Sequence, residues 1–235
     1  MNKSILKKLP TLLAILVMAG GVQTFTSCSS DDEGGGGGDK GNDIGNYRTV
    51  VIGTQTWMAE NLNYAVEGSK CYDNDPANCN TYGSLYDWST AMGLPSSCNE
   101  SDCSSQIQSK HRGICPSGWH IPSSDDWGKL SRYIDGTTGT FAGYVSTAAF
   151  KYKATSGWNG NGNGTDEYGF SALPGGGGGL GGSFFFSVGD YGFWWSASEF
   201  NGYVAYGRSM YCDLDDAYWD SGLKSYLYSV RCVQD

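Results

Sequence analysis

Apolar residues recur at helical spacing in one segment of the chain, residues 119–134. The apolar side chains that lie three and four positions apart there are Trp127, Leu130 and Ile134. Pro122 ends a preceding strand, and Ser123 or Ser124 can cap a helix whose first turn is acidic. The spacing therefore predicts a helix with one apolar face. A second, shorter helix is predicted over residues 83–92.

Shorter runs of β-branched and aromatic residues predict strands. A hairpin is predicted over residues 47–64, with a tight turn at Gly53 and Thr54. Four further β-rich runs are separated by glycine and aspartate: residues 169–173, 192–198, 202–211 and 225–233. Residues 95–113 and the glycine-rich residues 174–182 are predicted to be loops, the second one a mobile surface loop. Strands outnumber the two helices, so the pattern predicts an α+β domain.

The first 27 residues have the pattern of a secretory signal peptide, with three lysines before an apolar run too short to span a membrane. Phe25-Thr26-Ser27-Cys28 resembles a bacterial lipobox, although Phe25 replaces the more usual leucine. Cys28 is therefore predicted to carry a lipid that anchors the protein to a membrane. The alternative is an ordinary signal peptide with an incidental cysteine.

Residues 28–45 are rich in glycine and acids, which cannot bury enough apolar area to fold, so they are predicted to form a flexible tether. The acids after Cys28 resemble the export signal of Bacteroidetes lipoproteins. That resemblance implies a location on the outer membrane, facing the cell exterior. A generic solvated tether is the alternative reading of the same residues.

The composition describes an acidic, aromatic-rich domain over residues 46–235, long enough for one hydrophobic core. The formal charge is −9, and removing the three lysines of the signal peptide makes it −12. Such a charge disfavours nucleic acid and anionic lipid as partners. The chain has eight tryptophans, sixteen tyrosines and thirty-six glycines, which indicates many turns between aromatic strands.

Besides Cys28 the chain has seven cysteines, an odd number, so at least one is free or pairs outside the chain. Bridges are expected because the cell exterior oxidises thiols. Two pairs have spacings that suit local bridges: Cys71 with Cys79, and Cys98 with Cys103. Three others compete for one more bridge: Cys115, Cys212 and Cys232. Zinc is disfavoured because no Cys-x-x-Cys pair or nearby histidine occurs.

No enzymatic activity is predicted, because the sequence contains no recognisable catalytic motif. Its two histidines are His111, in a polar loop, and His120, which is predicted to be packed and hydrogen-bonded before the helix. Neither a Gly-x-Ser-x-Gly nor a His-Glu-x-x-His sequence is present. The glycines of residues 174–182 precede a predicted strand, whereas phosphate binding requires a helix there.

Two acidic loops carry candidate binding residues. Residues 158–170 place oxygen ligands near one another between glycines, as calcium requires. These candidate ligands are Asn159, Asn161, Asn163, Asp166 and Glu167. A series of Asn-Gly turns is the alternative. No other cofactor is predicted.

Residues 212–220 form the second loop. It combines the acids Asp213, Asp215, Asp216 and Asp220 with two aromatic residues, Tyr218 and Trp219. The rings could stack on a sugar while the acids bind its hydroxyls, and Trp158 beside the first loop is a further candidate. The alternative is a hairpin with a solvated tip.

An ordered set of motifs resembles the Fibrobacter succinogenes major paralogous domain family, from about Tyr47 to Asp235. The motifs are TWMAENLNY, CYDNDPANC, YGSLYDW, GICPSGWHIPSSDDW, SGWNGNGNGTDEYGFSALPGG, WWSAS and YSVRCVQD. Two of them also resemble, more distantly, the formylglycine-generating-enzyme branch of C-type lectin-like folds. The resemblance implies a C-type lectin-like fold with two helices and a looped ligand face.

The same resemblance implies a Cys115–Cys232 bridge and leaves Cys212 free. The active cysteines of the distant enzyme have no match here, which argues against its activity. We therefore expect a non-enzymatic surface binding module for a glycan or a protein partner. The alternative is a structural or adhesin scaffold without a small-molecule ligand.

Overall fold

The structure is a computed structural model that describes residues 43–137 and 146–235. The predicted signal peptide, Cys28 and most of the predicted tether lie outside these residues. Within them the chain forms three helices and eleven strands, which confirms the α+β class. None of the helices in these two ranges is long and apolar enough to cross a membrane.

The helices are α1 (Pro76–Tyr82), α2 (Trp88–Met92) and α3 (Ser124–Asp135). The strands up to α3 are β1 (Thr49–Ile52), β2 (Gln55–Met58), β3 (Leu85–Tyr86) and β4 (Trp119–His120). The strands after α3 are β5 (Gly177–Gly179), β6 (Phe184–Phe186), β7 (Tyr191–Glu199), β8 (Val204–Tyr211), β9 (Ala217–Leu223), β10 (Tyr228–Ser229) and β11 (Val233–Gln234).

The strands form three sheets. One has the order β1-β2-β11-β4, a second the order β3-β10-β7-β8-β9, and β5 pairs with β6 alone. The predicted hairpin is confirmed as β1 and β2, which pair antiparallel from Thr49–Met58 to Ile52–Gln55. Because β11 pairs with β2, the last strand of the domain closes onto its first hairpin.

Helix α3 confirms the prediction made from its apolar spacing. The Ser123 hydroxyl accepts from the Asp126 amide at 3.2 Å, and the Asp126 carboxylate accepts from the Ser123 amide at 3.0 Å. This reciprocal pair satisfies two amides at the helix start, and Gly136 ends the helix in the left-handed conformation.

The helix predicted over residues 83–92 is shorter than expected. It begins at Trp88, because the Asp87 carboxylate caps it by accepting from the Thr90 amide at 2.7 Å. The two residues before Asp87 form strand β3 instead. Helix α1 was not predicted from the sequence; the Asp75 carboxylate caps this helix and Pro76 opens it.

Two predictions for the second half are wrong. Residues 169–173 form no strand beyond an isolated bridge between Ala172 and Lys153. Gly177–Gly179, predicted as surface loop, are a buried strand that pairs with β6. Glycine makes this possible, since a Cβ on Gly179 would lie 2.4 Å from the Phe184 ring. Only the connection after β5, from Leu180 to Ser183, is largely exposed.

The five-stranded sheet separates two aromatic cores. Trp195 lies on one side in a core that includes Trp88 and Tyr228. Its neighbour Trp194 lies on the other side in a core that includes Trp57 and Trp127. Adjacent residues of β7 thus point to opposite faces, as strand geometry requires.

Three disulfides are present within residues 43–137 and 146–235, and they confirm the predicted pairs: Cys71–Cys79, Cys98–Cys103 and Cys115–Cys232. The third bridge links the segment before β4 to the residue preceding β11. Cys212 is a free, half-buried thiol whose sulfur lies 3.7 Å from the Asp190 carboxylate.

Candidate ligand-binding surface

The five candidate calcium ligands of the first acidic loop mostly contact protein groups. The Asn163 side-chain oxygen accepts from the Trp158 amide at 3.0 Å. Both carboxylate oxygens of Asp166 accept from Ser171, one from its amide and one from its hydroxyl. The Glu167 carboxylate lies 3.5 Å from the Lys151 ammonium.

The two remaining residues of that set also serve the turns. The Asn159 amide donates to the Asp190 carboxylate at 3.0 Å, and Asn161 has a positive φ of 68°. In the part of the chain that the structure describes, no group of three or more His, Cys, Asp or Glu side chains could hold a metal ion. These contacts agree with the turn interpretation, and calcium binding remains a hypothesis.

Trp158 belongs to the core and not to a ligand surface. Its side chain is 4% exposed, and the indole N–H donates to the Ala172 carbonyl at 2.9 Å. The Lys153 ammonium covers its ring at 4.9 Å from the centroid. The ring therefore offers no face to a ligand, which corrects its place among the candidate binding residues.

The aromatic residues of the second acidic loop lie in strand β9, which the sequence did not predict. Tyr218 contacts Tyr211, with ring centroids 5.2 Å apart. Trp219 packs on the opposite face against Tyr206, with ring centroids 4.7 Å apart, and its ring covers the buried Arg208 guanidinium. Tyr218 and Trp219 therefore cannot stack on the same sugar ring.

The acids of this segment are divided in the same way. Asp213 and Asp215 are exposed in the connection between β8 and β9, which agrees with a hairpin that has a solvated tip. Asp216 accepts a hydrogen bond from the Tyr218 hydroxyl at 2.9 Å. Asp220 lies two positions after Tyr218 in β9 and hence on the same face.

On and beside that face of the sheet lies a larger set of partly exposed aromatic side chains, which we call the aromatic platform. Its members are Phe184, Phe186, Tyr191, Tyr211, Tyr218 and Tyr226. Tyr191 contacts Tyr211 with ring centroids 4.6 Å apart, and Phe186 contacts Tyr226 at 6.1 Å. The buried Phe193 joins these two groups, since both Tyr191 and Phe186 contact its ring.

Strand register places the platform residues side by side. Tyr191 of β7 is opposite Tyr211 of β8, and Phe193 is opposite Ser209. Ser209 is in turn opposite Tyr218 of β9. Cross-strand partners share a face of the sheet, so three strands contribute rings to one surface.

The buried glycines of β5 complete the platform. A Cβ on Gly177 would lie 2.9 Å from the Phe186 ring, and one on Gly179 would lie 2.4 Å from the Phe184 ring. The two phenylalanine rings lie at 29° to each other and 6.1 Å apart. Glycine in β5 therefore leaves room for the β6 rings to lie close over the neighbouring strand.

Two of the platform tyrosines, Tyr211 and Tyr218, keep their hydroxyl protons at neutral pH. Burial raises the pKa of Tyr211, and the nearby Asp220 carboxylate raises it further. The hydrogen bond to Asp216 raises the pKa of Tyr218. The surface thus combines apolar ring faces, neutral hydroxyls and carboxylate acceptors, which is a chemistry suited to a polyhydroxylated ligand.

Sequence reasoning missed most of the platform. The run of three phenylalanines at 184–186 and the alternation of aromatics from Tyr191 to Trp195 were visible signals. They could not show which strands are neighbours, because register depends on pairing between residues distant in the chain.

Fold and surface together define a class of protein: a disulfide-bridged α+β domain with an exposed aromatic face. The chain belongs to the Fibrobacter succinogenes major domain family, whose model matches residues 50–234. This confirms the resemblance of the motifs. No curated protein and no solved structure matches the chain.

Proposed function

We propose that this protein is a non-enzymatic binding module, displayed on the outer membrane by a lipid on Cys28, that binds glycans on its aromatic platform. The observation that carries the proposal is the set of partly exposed rings on and beside one sheet face, which the buried Phe193 joins and the carboxylates of Asp216 and Asp220 flank. Sugar rings present weakly apolar faces that stack on aromatic side chains, while their hydroxyls pair with acceptors and donors.

The platform differs from the sites first predicted in position but not in chemistry. Of the five candidate ligand residues, Tyr218 belongs to the platform and Asp216 lies beside it. Asp215 lies at the exposed tip, Trp219 on the opposite face, and Trp158 in the core. We therefore centre the proposed contact on Tyr218, Tyr211 and Tyr191.

We further propose that the domain has a C-type lectin-like fold. Its support is the closure of β11 onto β2 by antiparallel pairing and the bridge from Cys115 to Cys232 beside that closure. Long connections with little regular structure between short strands also suit that fold, and they could carry ligand contacts beside the platform.

A structural or adhesin scaffold is the second candidate function. It is favoured by the burial of seven of the eight tryptophans, all except Trp219, among the described residues. In a scaffold the aromatic residues would serve mainly to fill the core. The platform would then be an adhesive surface for a protein partner and would bind no sugar.

A glycan array tests the proposal most broadly. We expect a soluble chain that begins at Asp43 to bind a subset of glycans, with binding lost when the platform is altered. Absence of binding to every glycan, together with capture of a protein from the cell surface, would favour the scaffold. The location is tested separately by protease treatment of intact cells, where protection of the domain would contradict surface display.

A further inference from the structure

Arg208, on β8, is a buried cation without hydrogen-bond acceptors. Its side chain is 2% exposed, and none of its three nitrogen atoms has a hydrogen-bond partner among the described residues. A guanidinium presents five N–H donors, and leaving them buried and unpaired is strongly unfavourable. Such a group in a folded protein indicates an acceptor other than the protein itself.

The other deeply buried cations among the described residues form hydrogen bonds. Arg231 donates to the Asn61 side-chain oxygen at 2.7 Å and to the Phe170 carbonyl. Lys224 donates to the Cys98 carbonyl at 2.9 Å and to the Glu199 carboxylate. Lys153 donates to the carbonyls of residues 211 and 214 at 2.6 and 2.8 Å. Arg208 is therefore unlike its counterparts in the same domain.

The surroundings of Arg208 are rich in donors. The hydroxyl of Tyr152, 1% exposed, makes no hydrogen bond of normal geometry among the described residues. The hydroxyls of Ser131 and Ser146 lie close enough to lower its pKa, and Tyr152 itself acts electrostatically on Arg208. The cation Arg132 acts on Arg208 as well, and the Asp135 carboxylate acts on Tyr152. The half-exposed Trp219 ring covers the guanidinium, 4.6 Å from its central carbon.

Both groups keep their protons at neutral pH. Burial lowers the pKa of Arg208, but only to about 10, so the guanidinium stays charged. Burial raises the pKa of Tyr152, so its phenol stays a neutral donor. The charged N–H donors of Arg208 and the O–H donor of Tyr152 thus lie within electrostatic range of each other.

We propose that Arg208 and Tyr152 bind a small monovalent anion beneath Trp219, either a halide or the carboxylate of a small organic acid. The anion supplies the acceptors that the protein lacks and neutralises the buried charge. The anion must be small because the guanidinium nitrogens of Arg208 are enclosed by protein. It must be monovalent because the site contains one positive charge that no carboxylate among the described residues pairs with. The site lies on the sheet face opposite the platform and does not depend on glycan binding.

Thermal unfolding of the full chain in detergent tests the site. Sodium chloride, bromide and formate are compared with gluconate, a larger anion, at constant ionic strength. We expect the melting temperature to rise by about 5–10 °C when the small anion reaches about 100 times its dissociation constant. Arg208→Met should abolish this anion-specific rise, and in gluconate it should unfold at or above the wild-type temperature, because an apolar side chain replaces an unpaired charge.

Arg48→Met is the matched control, since Arg48 is exposed and pairs with Glu60 at the surface. It should keep the wild-type response to chloride. An equal response in Arg208→Met, or no difference among the anions in the wild type, would overturn the proposal. If chloride raises the melting temperature and formate does not, the site binds halides and not carboxylates.

A measurement on the wild type keeps the test valid if Arg208→Met does not fold. Crystals grown in bromide should show an anomalous peak within hydrogen-bonding distance of the Arg208 nitrogens and the Tyr152 hydroxyl. An ordered water there, or no peak at all, would refute the anion site.

Discussion

Asp126 shows how one side chain can perform two tasks at the start of α3. Its carboxylate accepts from the amide and hydroxyl of Ser123, and it lies 3.4 Å from a ring nitrogen of His120. The other ring nitrogen of His120 lies 2.8 Å from the Asp235 carboxylate. His120 therefore has a structural, hydrogen-bonded position between the helix and the end of the chain.

The contacts of Asp126 predict a stability that depends on acid pH. Burial alone would raise its pKa, but hydrogen bonds from His120 and Ser123 outweigh burial and lower the pKa to about 2 from an ordinary 3.8. The unfolded chain therefore takes up this proton first as the pH falls from about 4 to 2, and stability is lost in that window. Because the carboxylate is partly exposed, we expect it to contribute only about 1–2 kcal/mol to the free energy of unfolding at neutral pH.

Chemical denaturation at several pH values measures this contribution. Asp126→Asn should lower stability at pH 7 by about 1–2 kcal/mol and flatten its decline below pH 4. Asp125→Asn, at the exposed neighbouring position, is the control and should leave the decline unchanged. If the stability of Asp126→Asn falls with pH as steeply as that of the wild type, other carboxylates cause the acid sensitivity.

At the scale of elements, the Cys115–Cys232 bridge connects the greatest length of chain. Its cysteines are 117 residues apart, against 5 for Cys98–Cys103. In the chain-entropy model the long loop corresponds to about 5 kcal/mol and the short loop to about 2 kcal/mol. Cys115→Ser should therefore destabilise the fold more than Cys98→Ser, as urea unfolding would measure. Equal losses, or peptide mapping that joins Cys212 to Cys232, would contradict this expectation.

The sequence was a good guide to elements with local causes. Helix α3 follows from apolar spacing and its caps, and the first hairpin from alternation around Gly53. The sequence was a poor guide where distant residues decide. Strand β9 contains polar and aromatic residues whose pattern is typical of a loop, and β5 consists of glycine, which is also typical of loops. Both become strands because β8 and β6 lie beside them.

The location of the candidate site also depends on strand pairing between residues that are distant in the sequence. Tyr218 and Trp219 were predicted together from their neighbouring positions, yet a strand separates neighbours onto opposite faces. Trp158 was a candidate binding residue because it lies beside the oxygen donors of the first acidic loop, whereas in the structure its ring is buried against the Ala172 carbonyl and the Lys153 ammonium. The kinds of side chain that could bind a ligand were predictable from the sequence. The face of the sheet on which each side chain lies was not, because it depends on the pairing of β7, β8 and β9.

The whole molecule presents two different faces of one sheet. The platform side exposes tyrosines and phenylalanines beside carboxylates, and the other side encloses Arg208 and Tyr152 beneath Trp219. The proposed glycan binding needs only one of these faces to be free. We therefore place it on the side of Tyr218.

A comparison of two alanine variants on opposite faces of β9 tests this claim most directly, using calorimetric titration of a glycan identified on the array. Tyr218→Ala should weaken binding by about tenfold or more, because a stacking ring contributes about 1.5–3 kcal/mol. Its melting temperature should stay nearly unchanged, since Tyr218 is half-exposed. Trp219→Ala and Tyr203→Ala, the latter 62% exposed on a loop, should keep the wild-type affinity. Full affinity in Tyr218→Ala with binding lost in Trp219→Ala would contradict the account.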